Sequence, residues 1–195
     1  MSNTIVILGH TRTPLGSFQG ELSSVSATEL GSRAIEGALK NSGVDKNKVS
    51  EVMMGCVLPA GLGQAPARQA ALGAGLDSHV PCTTVNKVCG SGMKTVMMGA
   101  DQLKLNEAKV VVAGGMESMS NAPYLLPKAR GGYRMGHGEI KDHMFLDGLE
   151  DAYAKKLMGE FGEKCAQHYQ FTREQQDEFA IRSLKRAQAA TKDKT

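Results

Sequence analysis

The chain has 195 residues and a net charge of +3 from 23 basic and 20 acidic side chains, with 41% hydrophobic and 22% charged residues. Such a balance argues against intrinsic disorder and gives no basic surface of the kind nucleic acid requires. The sparse aromatics, 5% of the chain with no Trp, are not interleaved with Lys and Arg as base stacking would need. A small positive excess is compatible with a phosphate-bearing small molecule without indicating one. No window approaches the roughly 18 consecutive apolar residues of a membrane span. The N-terminal Thr4 to Gly9 run is too short for a signal peptide and lacks a basic lead-in. The four cysteines, Cys56, Cys82, Cys89 and Cys165, form no C-x-x-C pair, and no Cys/His cluster has zinc spacing. Free thiols in a cytoplasmic setting, with no metal, are therefore expected.

In chain order, Ile5 to Leu8 is a continuous aliphatic run closed by Gly9, the pattern of a fully buried strand. Ser26 with Glu29 three residues later is a capping box. It opens a helix over 27–41 with Leu30, Ala34 and Ala38 at helical spacing, stopped by Gly43. Residues 51–58 predict a strand, 66–76 an Ala-rich helix begun by Pro66, and 80–85 a short strand. Residues 90–105 predict a helix with Met93, Val96, Met97, Ala100 and Leu103 on one face, and 109–113 a strand ending at Gly114-Gly115. Alternating buried strands and amphipathic helices imply a layered α/β domain with a largely parallel sheet over residues 1–118.

Residues 119–148 then hold two prolines and several glycines with little periodicity. An irregular segment of that length usually serves as a lid or a binding loop. Helical character returns from Asp151. Thr172 and Gln175 form a second capping box, opening a helix with Phe179, Leu184 and Ala187, and residues 189–195 read as its end and a polar tail. Nothing there closes a domain, so the partner of that helix's apolar face is expected beyond the chain end. No internal repeat or low-complexity segment is present.

The chemistry centres on Thr83-Thr84-Val85-Asn86-Lys87-Val88-Cys89-Gly90-Ser91-Gly92. A buried strand enters a tight Gly-flanked turn that opens directly into an amphipathic helix, with Cys89 at or just before the first helical residue. The unpaired N–H groups at a helix start favour a thiolate. The glycines leave the sulfur unshielded, and the same N–H groups can donate to an oxyanion on a thioester carbonyl. This is the strand–turn–helix logic of the serine-hydrolase nucleophile elbow with sulfur as the nucleophile. The alternative for any cysteine is a small core hydrophobe. The turn favours exposure at Cys89, whereas Cys56, Cys82 and Cys165 read as core or surface residues. The Gly61-Leu62-Gly63-Gln64 loop matches neither a Walker motif nor a dinucleotide fingerprint. His10, His79, His137, His143 and His168 are dispersed, and none is placed beside Cys89 by sequence.

The run Asn86 to Lys94 resembles the acyl-cysteine motif of the thiolase family. Arg12-Thr13-Pro14-Leu15-Gly16-Ser17-Phe18, Gly61 to Ala70, Ala113 to Ser120 and Asp147 to Tyr153 resemble further thiolase segments in the expected order. The likeness covers essentially the whole chain and is closest to the acetyl-CoA acetyltransferase branch. It implies the thiolase-like layered α/β fold of two similar halves, of which this chain is expected to hold the first. Residues 1–118 would be the domain bearing the nucleophile. Residues 119–195 would begin the loop excursion that helps bind coenzyme A.

The resemblance also implies an activity. Cys89 would take an acyl group from acyl-CoA, its backbone N–H contributing to an oxyanion hole. A second acetyl-CoA, deprotonated at its α-carbon, would then attack to give a 3-oxoacyl-CoA, with thiolysis as the reverse. Leu149 aligns with a family residue near the coenzyme and Met158 with one lining the acyl pocket. Coenzyme A thioesters enter as substrates and no cofactor is implied. A homodimer, or a homotetramer tethered through the loop around Pro123 to Gly138, is expected.

Two departures bear on this expectation. The family's Gly-His-Pro, Asn-Glu-Ala-Phe and Cys-x-Gly-Gly-Gly motifs, which supply the bases and an oxyanion donor, are absent from the 195 residues, so the chain alone is expected to be inactive. Leu157 also stands where many biosynthetic members carry His before the Met that aligns with Met158. The competing readings are a condensing enzyme of the ketoacyl-synthase type, acting on carrier-protein thioesters, and a truncated, non-catalytic subunit or fragment.

Overall fold

The computed structural model describes residues 4–193, which fall into two compact units, Met1–Gly148 and Leu149–Thr195. The first unit is built on a three-stranded parallel sheet. Its strands are β1 (Glu51–Gly55), β2 (Cys82–Val85) and β3 (Val111–Gly115), in the order β2-β1-β3. Val52 lies opposite Cys82 on one side and Val112 on the other, so β1 is the central strand. The expected α/β architecture with a parallel sheet is present.

Each helix begins and ends where local chemistry dictates. Helix α1 (Ala27–Ser42) is capped by Ser26, whose hydroxyl accepts the Glu29 N–H at 3.2 Å. Gly43 closes it at φ 66°, a conformation that glycine takes without a Cβ penalty. Helix α2 (Pro66–Gly73) starts with Pro66 and has no cap from its own N-terminal side. Thr84 on β2 substitutes, its Oγ1 accepting the Ala67 N–H at 3.0 Å. Helix α3 is Ser91–Lys104.

The period of two along a strand sorts residues to opposite faces. Val52, Met54 and Cys56 turn to one face, where they form a core with Ile35 of α1 and Ala67, Ala70 and Ala71 of α2. Gly55, Val111, Ala113 and Gly115 turn to the other, against α3. The result is three layers, helices–sheet–helix. The β1–α2–β2 and β2–α3–β3 crossovers therefore run on opposite faces, as right-handed connections in opposite directions require. The loops leaving the carboxyl ends of β1 and β2 diverge, and the crevice between them is where open α/β sheets place their sites.

Two expectations from the sequence are corrected here. The Ile5–Leu8 run is not a buried strand. Val6, Ile7 and Leu8 are 61%, 81% and 58% exposed, and no strand among the described residues pairs with them. Apolar character favours burial, but burial needs a facing surface, and the chain turns onto α1 only at Gly9, where an added Cβ would meet Ser42. Helix α3 also packs with its other face. Met93 and Met97 are 74% and 55% exposed, while Ser91, Thr95 and Gly99 are buried. Small residues at this spacing let helix and sheet approach closely, and an added Cβ at Gly99 would stand 2.9 Å from Val111.

The segment after β3 forms a short antiparallel pair, β4 (Tyr124–Leu125) with β5 (Lys141–Asp142), and ends in a single π-helical turn, Phe145–Leu149. The second unit holds α4 (Met158–His168) and α5 (Arg173–Asp193). Thr172 and Gln175 form the expected reciprocal capping box, with backbone-to-side-chain bonds of 2.9 and 3.3 Å. Of the expected polar tail, Lys194 and Thr195 lie outside the described residues. No helix among the described residues is long and apolar enough to cross a membrane.

Candidate active site

Cys89 stands two residues before the first residue of α3, in the turn that leaves the carboxyl end of β2. It is exposed, as is Cys165, while Cys56 is buried and Cys82 half-buried. The sequence placed it at the helix boundary, and the structure puts Gly90 between it and the helix as the N-cap.

The turn is held in a strained shape. Val88, immediately before the nucleophile candidate, has φ 47°. For a β-branched residue this left-handed conformation costs about 1–3 kcal/mol. Side chains grip it on both sides. Asn86 Oδ1 accepts the Val88 N–H at 2.9 Å, and the buried Ser91 hydroxyl donates to the Val88 carbonyl at 2.6 Å. Ser91 Oγ also accepts the Lys87 N–H at 2.8 Å. The hydroxyl thus fixes both ends of the turn from inside the first turn of α3.

Helix α3 is in turn seated on the sheet. Gly92 lies against Gly115, and the fully buried Thr95 places its hydroxyl 2.9 Å from the Gly114 carbonyl and 2.7 Å from that of Gly92. These contacts pack the first two turns of α3 against β1 and β3, so the thiol sits at a fixed height above the sheet.

Across the crevice, the exit of β1 is clamped by Glu117, which follows β3. Its carboxylate accepts the N–H groups of Val57 at 2.8 Å and Leu58 at 3.1 Å. The Cys56 thiol donates to the same carboxylate at 3.6 Å. Burial first, and the Glu117 charge second, push the Cys56 thiol up from an ordinary 9.0 to about 12. Cys56 is therefore a protonated donor at neutral pH, in keeping with its core assignment. Asn86 Nδ2 joins the two sides by donating to the Val57 carbonyl at 3.3 Å.

Among the five histidines, His143 is set apart by burial, at 5% exposed. Its Nδ1 lies 2.6 Å from Asp147 Oδ2, and Nε2 accepts the Ala60 N–H at 3.4 Å. The ring is therefore the tautomer that donates from Nδ1 and accepts at Nε2. It ties the loop after β1 to the segment after β5. The i,i+4 spacing of His143 and Asp147 was the only sign of this pair in the sequence. Glu117 gave no local sign, because its partners lie 59 and 60 positions away.

The other two sequence-predicted residues, Leu149 and Met158, belong to the second unit. Leu149 ends the π-helical turn, and Met158 opens α4 half-exposed. An isolated antiparallel bridge between Glu150 and Leu157 brings their two segments side by side. Among the described residues no group of three or more His, Cys, Asp or Glu could hold a metal ion.

The site is thus an exposed cysteine on a strained turn of an α/β protein, between a parallel strand and a helix start and over the carboxyl end of the sheet. The chain belongs to the thiolase family, since residues 5–195 match the family's "Thiolase, N-terminal domain". It is 56% identical over 186 residues to acetyl-CoA acetyltransferase 2 of Arabidopsis thaliana, covering 95% of this chain and 46% of that protein. It is 51% identical over 195 residues to the Saccharomyces cerevisiae acetyl-CoA acetyltransferase, covering 99% of this chain and 49% of the relative. A Gibberella zeae acetyl-CoA acetyltransferase named as cytosolic is 50% identical over 187 residues, 96% of this chain and 47% of that one. The chain thus spans about half the length of the curated relatives it matches.

Proposed function

We propose that this chain carries the acyl-accepting centre of an acetyl-CoA acetyltransferase. The observation that carries the reading is the exposed Cys89 beside the start of α3, held behind strained Val88. In the reaction, the Cys89 thiolate attacks the thioester carbonyl of acetyl-CoA. A carbon–sulfur bond forms to Cys89, the bond to coenzyme A breaks, and the coenzyme leaves as its thiol after taking a proton. The backbone N–H of Cys89 contributes to the oxyanion hole as charge builds on the carbonyl oxygen. A second acetyl-CoA, losing a proton from its α-carbon, attacks the acyl-enzyme, gives acetoacetyl-CoA and frees Cys89. Thiolysis of a 3-oxoacyl-CoA runs the same steps backwards.

In this reading residues 1–118 form the nucleophile domain and 119–195 begin the coenzyme-binding excursion, with Leu149 near the coenzyme and Met158 at the acyl pocket. The complete enzyme works in the cytoplasm as a homodimer or homotetramer, a setting supported by the cytosolic relative. The 195 residues alone do not complete the cycle, because the family motifs that supply the bases are absent from them. Assaying the isolated chain with acetoacetyl-CoA and free coenzyme A tests this directly, and robust turnover refutes it. Offering the complete gene product acetyl-CoA against acetyl-carrier protein separates this reading from a carrier-dependent condensing enzyme. Preference for the carrier thioester would overturn it.

A further inference from the structure

We propose that Glu117 and Asn86 are positioning residues for Cys89, acting through the backbone of Val88. The proposal rests on the reading of Cys89 as the nucleophile. Strained Val88 would relax towards negative φ unless it were held on both sides: the Ser91 hydroxyl holds its carbonyl and Asn86 Oδ1 holds its N–H, so losing either grip frees it. Asn86 is an exposed side chain and could rotate into solvent. Its other end is anchored on the Val57 carbonyl. That carbonyl belongs to a strand exit whose next two N–H groups, Val57 and Leu58, are both taken by the Glu117 carboxylate.

The chain of bonds thus runs from the end of β3, through the exit of β1, to the turn after β2. One carboxylate accepting two backbone N–H groups ties both to the same point, and hydrogen bonds to a carboxylate are shorter and stronger than those to a neutral acceptor. Releasing it lets the β1 exit move, Asn86 lose its hold, and Val88 relax. Cys89 would then lose the exposed place beside the start of α3 in which the turn holds it. Neither Glu117 nor Asn86 is assigned contact with substrate.

The test is thiol alkylation by iodoacetamide, resolved by residue through peptide mass spectrometry, on the whole chain. Exposed Cys165, in the other unit, is the internal reference. In Glu117→Gln and in Asn86→Ala the Cys89 rate relative to Cys165 is expected to fall about tenfold. Adding Val88→Gly to either variant should restore it, because glycine adopts positive φ without strain. A general loss of structure would not be rescued by removing a side chain. An unchanged Cys89 ratio in the folded variants overturns the proposal, as does a fall that Val88→Gly fails to restore.

Asn86→Ala leaves both Glu117 bonds in place and decides the link to the thiol by itself. Loss of fold in Glu117→Gln would assign that residue to stability alone and overturn its part. Alkylation needs no acyl-CoA, so its outcome is separate from the acyl-carrier reading, which fails instead if an acetyl adduct survives Cys89→Ala.

Discussion

Gly55 meets Gly92 across the sheet–helix interface with no room for a side chain on Gly55, where a Cβ would stand 2.7 Å from the Gly92 nitrogen. The obstacle is the Ser91–Gly92 backbone together with the Ser91 Cβ, none of which can rotate away. The contact fixes how close the start of α3, and with it the Cys89 turn, comes to the central strand.

Gly55→Ala should therefore destabilise the chain by about 1–3 kcal/mol through overpacking. Urea unfolding followed by circular dichroism measures it. A midpoint equal to wild type would mean that α3 can lift off β1 freely, and that the turn is not seated as described.

Cys56 gives stability a signed dependence on pH. Its thiol is raised from 9.0 to about 12 in the folded state, so the folded protein keeps a proton that the unfolded chain releases between those values. The contribution is complete below pH 9.0, declines as pH rises towards 12, and is gone above it. Unfolding midpoints in that window should fall less steeply in Cys56→Ser, which keeps a donor to Glu117 but does not titrate there. Parallel slopes would contradict the cause assigned to the shift.

His143 joins the loop after β1 to the segment after β5. Replacing it with Ala leaves the Ala60 N–H and the Asp147 carboxylate without that partner and opens a hole in a buried spot. His143→Ala should cost about 2–3 kcal/mol. Asp147→Asn, whose side-chain oxygen can still accept from Nδ1, should cost clearly less. Equal losses would show that the charge, rather than the bond, holds the pair.

From α1 to β3 the order of strands and helices was legible in the sequence because each element there carries its own signal. Ser26 and Gly43 bracket α1, and Pro66 opens α2. The Cys89 turn was legible for the same reason, as glycines mark the strand-to-helix change. Two faces were misread, and both failures are tertiary. Helix periodicity names the apolar stripe of α3, but the sheet surface of Gly55 and Gly115 accepts only small residues, so Ser91, Thr95 and Gly99 face inward. The Ile5–Leu8 run has strand character without a strand to pair with among the described residues. Glu117 was invisible as an anchor because its partners are backbone groups about sixty positions away, brought near only by the β1–β3 pairing.

The most direct test of the central claim is peptide mass spectrometry of the complete gene product after incubation with acetyl-CoA. One acetyl group is expected on the peptide containing Cys89, and none in Cys89→Ala. An acetyl group found instead on Cys56, Cys82 or Cys165, or an adduct that persists in Cys89→Ala, would contradict Cys89 as the acyl carrier.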